Sequence, residues 1–456
     1  MRTRRAAILL TAWIVVVSWP ALGEGGELRL VPGLTPFQFA MAAAIDIVCP
    51  RLAAARSTLN PVQIDLLDRC SEMRQTANEL QGDMPTNLSL GLSNAELADA
   101  LGAVAPEEAS TLGTLSVETG TTPARAIGAR LRAVRAGASG LSLSGLKIGV
   151  DQAMVSAGRL LGLTESGGGA SADRGPFGRL GIFLNGEYDF GDRDRTSREE
   201  GFDFDRFGFT AGADYRVTDS LVLGLAFHYS QTDVDIDLGL GEVDSQAYGA
   251  SLYGTYYLGR FFVDAHGSYE FIDYDTTRRI VYATFDRTAR GETDGDQYTV
   301  NLGVGYEIPV GRVTITPLVR AEYLNLQVDR YRERGAEGLD LDVGEQDVES
   351  LVTAVGAQAS MAFSVPFGVL VPQIRSEWRH EFENNGTTIT AKYANDPFNT
   401  FFAIPTDDPD RDYVAVAAGA SAVFSRGVSA FVNYETVLGL RDVTHHAFTG
   451  GVRMEF

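Results

Sequence analysis

The chain has 456 residues, a formal net charge of −22 and 45% hydrophobic residues, which is room for two or three domains. So acidic a balance excludes a nucleic-acid binder, since that task needs cations against phosphate. Past the N-terminus no run of about 20 apolar residues reads as a membrane helix, and five histidines without ligand-like spacing to another His or Cys argue against a zinc site.

The chain starts with Met1-Arg2-Thr3-Arg4-Arg5, an apolar stretch from Ala6 to Trp19 and then Pro20-Ala21-Leu22-Gly23. A basic head, an apolar middle and small residues at the end predict a secretory signal over 1–23, cleaved after Gly23. Export makes the two cysteines, Cys49 and Cys70, a disulfide pair rather than a metal or redox site.

Residues 24–145 read as a small helical region. Thr35-Pro36-Phe37-Gln38 and Asn60-Pro61-Val62-Gln63 each place a capping side chain, Pro at the first helical position and Gln at the third. Ser93-Asn94-Ala95-Glu96 is a capping box, and Thr122-Pro123 opens a further helix with Ile127, Leu131 and Val134 on one face. Arg125, Arg132 and Arg135 lie away from that face and read most simply as a solvated face, with a lipid-headgroup or partner role as the alternative. Cys49 is expected just past the first helix and Cys70 inside the second, so their bond clamps a helical hairpin. No Gly-x-Ser-x-Gly elbow, His-Glu-x-x-His pair or phosphate loop occurs here, and no catalytic residue, metal ligand or cofactor is expected. Residues 146–175 form a linker, in which Leu146–Leu163 is either a helix entering a barrel lumen or an exposed hinge.

From 176 to 456, runs of alternating apolar and polar residues recur twelve times, near 178–191, 202–217, 220–236, 243–259, 261–276, 294–308, 312–331, 346–365, 367–384, 411–425, 427–438 and 446–456. Successive side chains in a strand face opposite sides. In the last run Phe448, Val452, Met454 and Phe456 share one face, while Arg453 and Glu455 take the other. Joins after even-numbered runs are tight; joins after odd-numbered runs are mostly long and polar. Twelve is even, and one-sided sorting of loops is the habit of outer-membrane barrels. Only a closed barrel pairs every strand edge in lipid. The expected fold is therefore mainly β: a 12-stranded antiparallel transmembrane β-barrel preceded by a small α-helical region.

The stretch 176–456 resembles the β-domain of autotransporters, carried by Ile315-Thr316-Pro317-Leu318-Val319-Arg320-Ala321-Glu322-Tyr323, Tyr331-Arg332-Glu333-Arg334-Gly335-Ala336, Leu370-Val371-Pro372-Gln373-Ile374-Arg375-Ser376-Glu377-Trp378 and the closing Phe456. The resemblance implies a bacterial outer-membrane barrel that anchors its N-terminal region and helps export it. It also implies lipid, lipopolysaccharide, periplasmic chaperones and the outer-membrane assembly machinery as partners. Phe448, Val452, Met454 and Phe456 would form the assembly signal. The departure is the short helical region, since passengers of that family are mostly long repetitive β-helices.

Two other functions compete. A passive pore would use the lumen carboxylates Glu187, Asp189, Asp264 and Glu270 to favour cations. A barrel hydrolase would need a Ser and a His together at one rim. Ser376 and His380 face lipid in this register, and inward-facing His228 and His266 have no evident nucleophile. Asp407, Asp408, Asp410 and Asp412 cluster in the longest loop, either as solvated charge or as a divalent-ion site.

Overall fold

In this computed structural model the described residues are 27–119, 122–138, 147–150, 153–156, 179–383, 386–424 and 428–455. The expected export signal, Phe456 and most of the linker lie outside them. Twelve antiparallel strands close into one barrel. They are β1 (Leu180–Arg193), β2 (Phe202–Thr218), β3 (Leu221–Ile236), β4 (Gly241–Leu258), β5 (Phe261–Tyr282), β6 (Phe285–Tyr306), β7 (Val313–Val328), β8 (Gln346–Met361), β9 (Gly368–Glu381), β10 (Asp412–Phe424), β11 (Val428–Leu438) and β12 (Val443–Glu455). Each pairs with its sequence neighbour, and β12 returns to β1 with Tyr188 opposite Phe448 and Ile182 opposite Met454.

Alternation along each strand sorts side chains between lipid and lumen. On β3, Leu223, Leu225 and Phe227 are exposed outward, whereas His228, Ser230 and Thr232 are buried inward. On β12, Phe448, Val452 and Met454 face outward as expected. The polarity of both faces then inverts toward the long-loop end. Beyond Tyr229 the outward set of β3 becomes Gln231, Asp233 and Asp235, while Val234 and Ile236 turn inward. On β5, Tyr269 and Phe271 give way to Asp273 and Asp275 outside, with Ile272 and Tyr274 inside. The strands leave the lipid at that level and continue as the wall of a water-facing domain with an apolar interior.

That inversion accounts for one correction. Residues 277–293, expected as a polar loop, instead extend the β5–β6 hairpin in full ladder to Tyr282 opposite Phe285. A second correction concerns loops 332–345 and 385–410. Short strands Tyr331–Arg332, Leu341–Val343, Thr388–Tyr393 and Phe402–Pro405 join there into a four-stranded antiparallel sheet above the barrel.

The N-terminal region has helices α1 (Pro36–Ala54), α2 (Pro61–Leu80), α3 (Asn94–Ala103), α4 (Glu107–Thr119) and α5 (Thr122–Ala138). The three expected capping boxes at Thr35, Asn60 and Ser93 are all formed. Cys49 and Cys70 are disulfide-bonded, with Cα atoms 5.8 Å apart. Cys49 lies inside α1 rather than past its end, because α1 continues through Pro50 to Ala54. Within 146–163, expected as either a helix or an exposed hinge, Lys147–Val150 and Ala153–Ser156 pair as antiparallel strands, in keeping with β-branched Ile148, Val150 and Val155.

Candidate functional site: a filled lumen and a docked head

Helices α1–α3 sit on the long-loop side and share one apolar core with it. Met41, Ile45, Leu52, Leu66, Met73 and Leu101 pack with Ile280 and Tyr282 of the hairpin and with Leu341, Ile389, Tyr393 and Ile404 of the small sheet. Polar contacts fix the register. Arg287 Nη1 donates to Asp65 Oδ2 at 2.6 Å, the Gly338 amide donates to the same oxygen at 3.1 Å, and Arg51 reaches Thr400 Oγ1 at 3.2 Å. A Cβ on Gly338 would stand 2.3 Å from the Leu66 nitrogen, so that close approach requires glycine.

Below this head, α4 enters the apolar mouth, where Leu112 and Leu115 pack among Phe204, Val234, Ile236, Ile272, Leu326 and Val348. Its first turn carries Glu107 and Glu108, both buried. Glu107 Oε2 accepts the Glu200 amide at 3.3 Å. Burial first, and for Glu107 the neighbouring Glu200 second, pushes both carboxyls well above the ordinary value. Nearby, Arg278 Nε donates to Glu333 Oε1 at 2.9 Å and Arg278 Nη2 to the Leu339 carbonyl at 3.0 Å.

Helix α5 then runs down the polar lumen. Ile127 and Leu131 pack on Phe183, Ala226 and Tyr253. Arg125 bonds Glu187 and Asp189, and Arg130 Nε donates to Asp214 Oδ2 at 2.6 Å with its guanidinium 5.0 Å from the Phe183 ring. The Tyr253 hydroxyl donates to Asp214 at 3.1 Å. The expected solvated arginine face is thus corrected: Arg125 is a lumen ion-pair partner and Arg132 lines a residual lumen cavity of about 80 Å³ with it. The side chain of Arg135 lies outside the described residues. Among the described residues, the segment that fills the lumen is α5.

The other candidate residues fall as follows. Arg320, Arg375 and Arg379 interleave with Glu322, Glu377 and Glu435 in one lumen network, including Arg320–Glu377 at 2.9 Å and Arg379–Glu435 at 2.8 Å. Glu187 and Asp189 are committed to Arg125, and Glu270 accepts Gln297 Nε2 at 2.7 Å. They do not line an open cation path while α5 is seated. Ser376 and His380 face outward, with His380 bonded to Asp412 at 2.8 Å. His266 Nε2 lies 3.1 Å from Ser251 Oγ, a neighbour invisible to sequence spacing. The four loop aspartates disperse: Asp407 pairs with Arg193, Asp408 accepts the Gly386 amide, Asp410 pairs with Arg441 and Asp412 with His380.

A closed twelve-stranded barrel, lipid-facing outside and threaded by its own helix α5, is a bacterial outer-membrane β-barrel. The Autotransporter beta-domain family model matches residues 182–435, more than half of the chain, and the chain belongs to that family. Among curated proteins it is 28% identical over 254 residues to Outer membrane protein A of Rickettsia conorii, covering 52% of this chain and 12% of that protein. It is 25% identical over 219 residues to Esterase EstA of Pseudomonas aeruginosa, covering 47% and 33%. The chain therefore spans a third or less of these relatives. Among solved structures, the translocator domain of NalP from Neisseria meningitidis aligns at 15% identity and TM-score 0.49, covering 61% of this chain and 89% of that one. The β-domain of Bordetella BrkA aligns at 18% identity and TM-score 0.46, covering 61% and 100%. A translocator barrel of this kind is a non-enzymatic domain, and autotransporters are assembled by the outer-membrane assembly machinery.

Proposed function

We propose that the barrel carries its own head, residues 27–105, to the cell surface and keeps it there, docked on the extracellular loops. One observation carries this reading: the head lies on the long-loop side, β1 begins on the short-turn side, and α5 spans the lumen between them. Long loops face outward in such barrels. The shared core and the Asp65–Arg287 pair argue for retention rather than release. An epitope tag between Gly25 and Leu34 tests it: protease should remove the tag from intact cells while the barrel stays whole. A tag protected until the outer membrane is opened would overturn the reading.

The finer partners follow from the outer surface. Rows of carboxylates face outward just above the lipid, with Asp205, Asp233, Asp244, Asp275 and Glu292 directly opposite one another across five strands. Like charges in register repel. Beside anionic lipopolysaccharide this rim needs divalent cations as bridges, which oxygen ligands suit. Chelation should lower the unfolding temperature in lipopolysaccharide-containing bilayers and leave it unchanged in phosphatidylcholine; equal shifts in both would exclude the bridge. Outward-facing Phe448, Val452 and Met454, with Phe456 after them in sequence, are the residues that periplasmic chaperones and the assembly machinery read, and deleting Phe456 should reduce membrane-inserted protein without changing its synthesis. We assign no enzymatic role to the chain.

A further inference from the structure

Among the described residues the barrel wall has a gap beside β8. The β8–β9 ladder stops at Val352 opposite Glu381, whereas β8 continues on its other side to Gln346 opposite Val328. Glu381 closes the end of the ladder through its side chain, which accepts the Leu351 amide at 2.8 Å. Above it the edge of β8 from 346 to 349 faces a cavity of about 310 Å³, floored by α4 and lined on its other side by Glu383, Gly386, Thr388, Thr406 and Pro409 among the described residues. The cavity opens at the level of Glu349, whose carboxylate takes the hydroxyl of outward-facing Tyr323 at 2.8 Å. That places it just above the lipid-facing aromatics, beside the sugars of the outer leaflet.

Its chemistry is selective. Ser110, Thr114 and Thr406 donate their hydroxyl protons to the Glu107 carbonyl, the Glu199 carboxylate and the Thr387 carbonyl and so offer oxygens as acceptors, Thr387 and Thr388 add further hydroxyls, and Val348 and Pro409 are the chief apolar contributions among the described lining. Gln346 is 3% exposed, lines this space and leaves its Nε2 without a hydrogen-bond partner. A buried amide donor left unsatisfied is costly, so it marks a position where a ligand acceptor completes the site. Asp347, Glu349 and Glu383 make the rim anionic, while Arg193, the cation in the lining, is already paired with Asp407 at 3.0 Å and Glu199 at 3.4 Å. Gly113 keeps α4 close without filling the space: a Cβ there would meet Val348 at 3.2 Å.

We propose that this lateral cavity is a saccharide site for a pyranose-sized ligand bearing an ammonium group, with the Gln346 amide donating to a sugar oxygen, the α4 hydroxyl oxygens accepting from sugar hydroxyls and the acidic rim holding the amine. The volume fits one sugar ring, the donors and acceptors fit vicinal hydroxyls, and the charge fits a protonated amine. The site lies beside α4 above the α5 shaft and does not rest on head export.

The test is ligand-observed saturation-transfer NMR on the refolded full chain with glucosamine, N-acetylglucosamine and spermidine. Glucosamine should bind at least tenfold more tightly than either comparator. Gln346→Leu should weaken it tenfold or more. The rim variant Asp347→Asn/Glu383→Gln, which touches no buried packing, should bring glucosamine and N-acetylglucosamine to parity. Lipopolysaccharide vesicles that displace the sugar identify the source as the surrounding leaflet; retention of the sugar identifies a free ligand. Binding unchanged within twofold in both variants, spermidine binding as tight as glucosamine, or no binding of any probe overturns the proposal.

Discussion

Arg130, like Arg125, ties α5 to the barrel wall. It is 1% exposed and paired with Asp214, which also accepts the Tyr253 hydroxyl. Removing one partner of a buried pair leaves the other charge uncompensated, at a cost of about 3–5 kcal/mol. Arg130→Leu should therefore lower the denaturant midpoint for α5 release, and the double variant Arg130→Leu/Asp214→Leu should recover most of the loss. If the double variant is no better than the single one, the pair is not what holds the helix. A second residue-scale consequence lies outside the membrane, at Glu107 and Glu108. Their folded pKa values are raised above an unfolded value near 4.5, chiefly by burial, with Glu200, Glu199, Arg278 and Glu333 as the charged neighbours. The stability contributed by their protonated forms is complete below about pH 4.5 and is lost as pH rises through the raised values. Urea should release the head at a higher midpoint at pH 5 than at pH 8, and Glu107→Gln should shrink that difference. An unchanged difference would remove Glu107 from the account.

Among elements, those legible in the sequence were the ones specified locally. Thr35, Asn60 and Ser93 announced three helix starts because a capping box is complete within four residues, and twelve strands showed because their period of two needs no partner to be seen. What escaped depends on distant chain. Tyr331–Arg332 and Leu341–Val343 are too short to read as strands until Thr388–Tyr393 pairs with them. Residues 277–293 looked like a loop because their polar positions face out and their apolar ones face in, the reverse of the lipid-embedded half. Arg125 looked solvated because its partners Glu187 and Asp189 are more than sixty residues away. The α1–α2 pair shows what a covalent tie adds to such an element. Cys49–Cys70 closes a loop with a separation of 21 residues, worth roughly 3 kcal/mol on the chain-entropy model. Reduction should lower the head's unfolding midpoint while leaving the barrel's own transition in place. A barrel transition that falls in step would mean that head and barrel unfold as one unit.

For the whole molecule, the closed strand ring and the filled lumen are two separable properties. Barrel closure rests on twelve ladders that never involve residues 27–138, whereas occlusion rests on α4 in the apolar mouth and α5 in the polar shaft. Removing 27–138 should therefore leave a folded barrel whose lumen fills with water, because the exposed shaft surface is hydrogen-bonding rather than apolar. It should also change the charge of that path. Arg125, Arg130 and Arg132 leave, so Glu187, Asp189 and Asp214 on the wall lose their helix arginines, while Asp189 keeps Arg206 at 3.9 Å and Asp214 the Tyr253 hydroxyl. Arg320, Arg375 and Arg379 remain tied to Glu322, Glu377 and Glu435 and offset one another. In planar bilayers the truncated barrel should conduct steadily and prefer cations, and the full chain should stay near baseline. Restoring α5 in trans as a peptide should block that conductance, and the same peptide with Arg125→Ala and Arg130→Ala should block it less. A truncated barrel that is silent, or that selects anions, would show that the arginine–carboxylate pairs are not what sets the electrostatics of the open shaft.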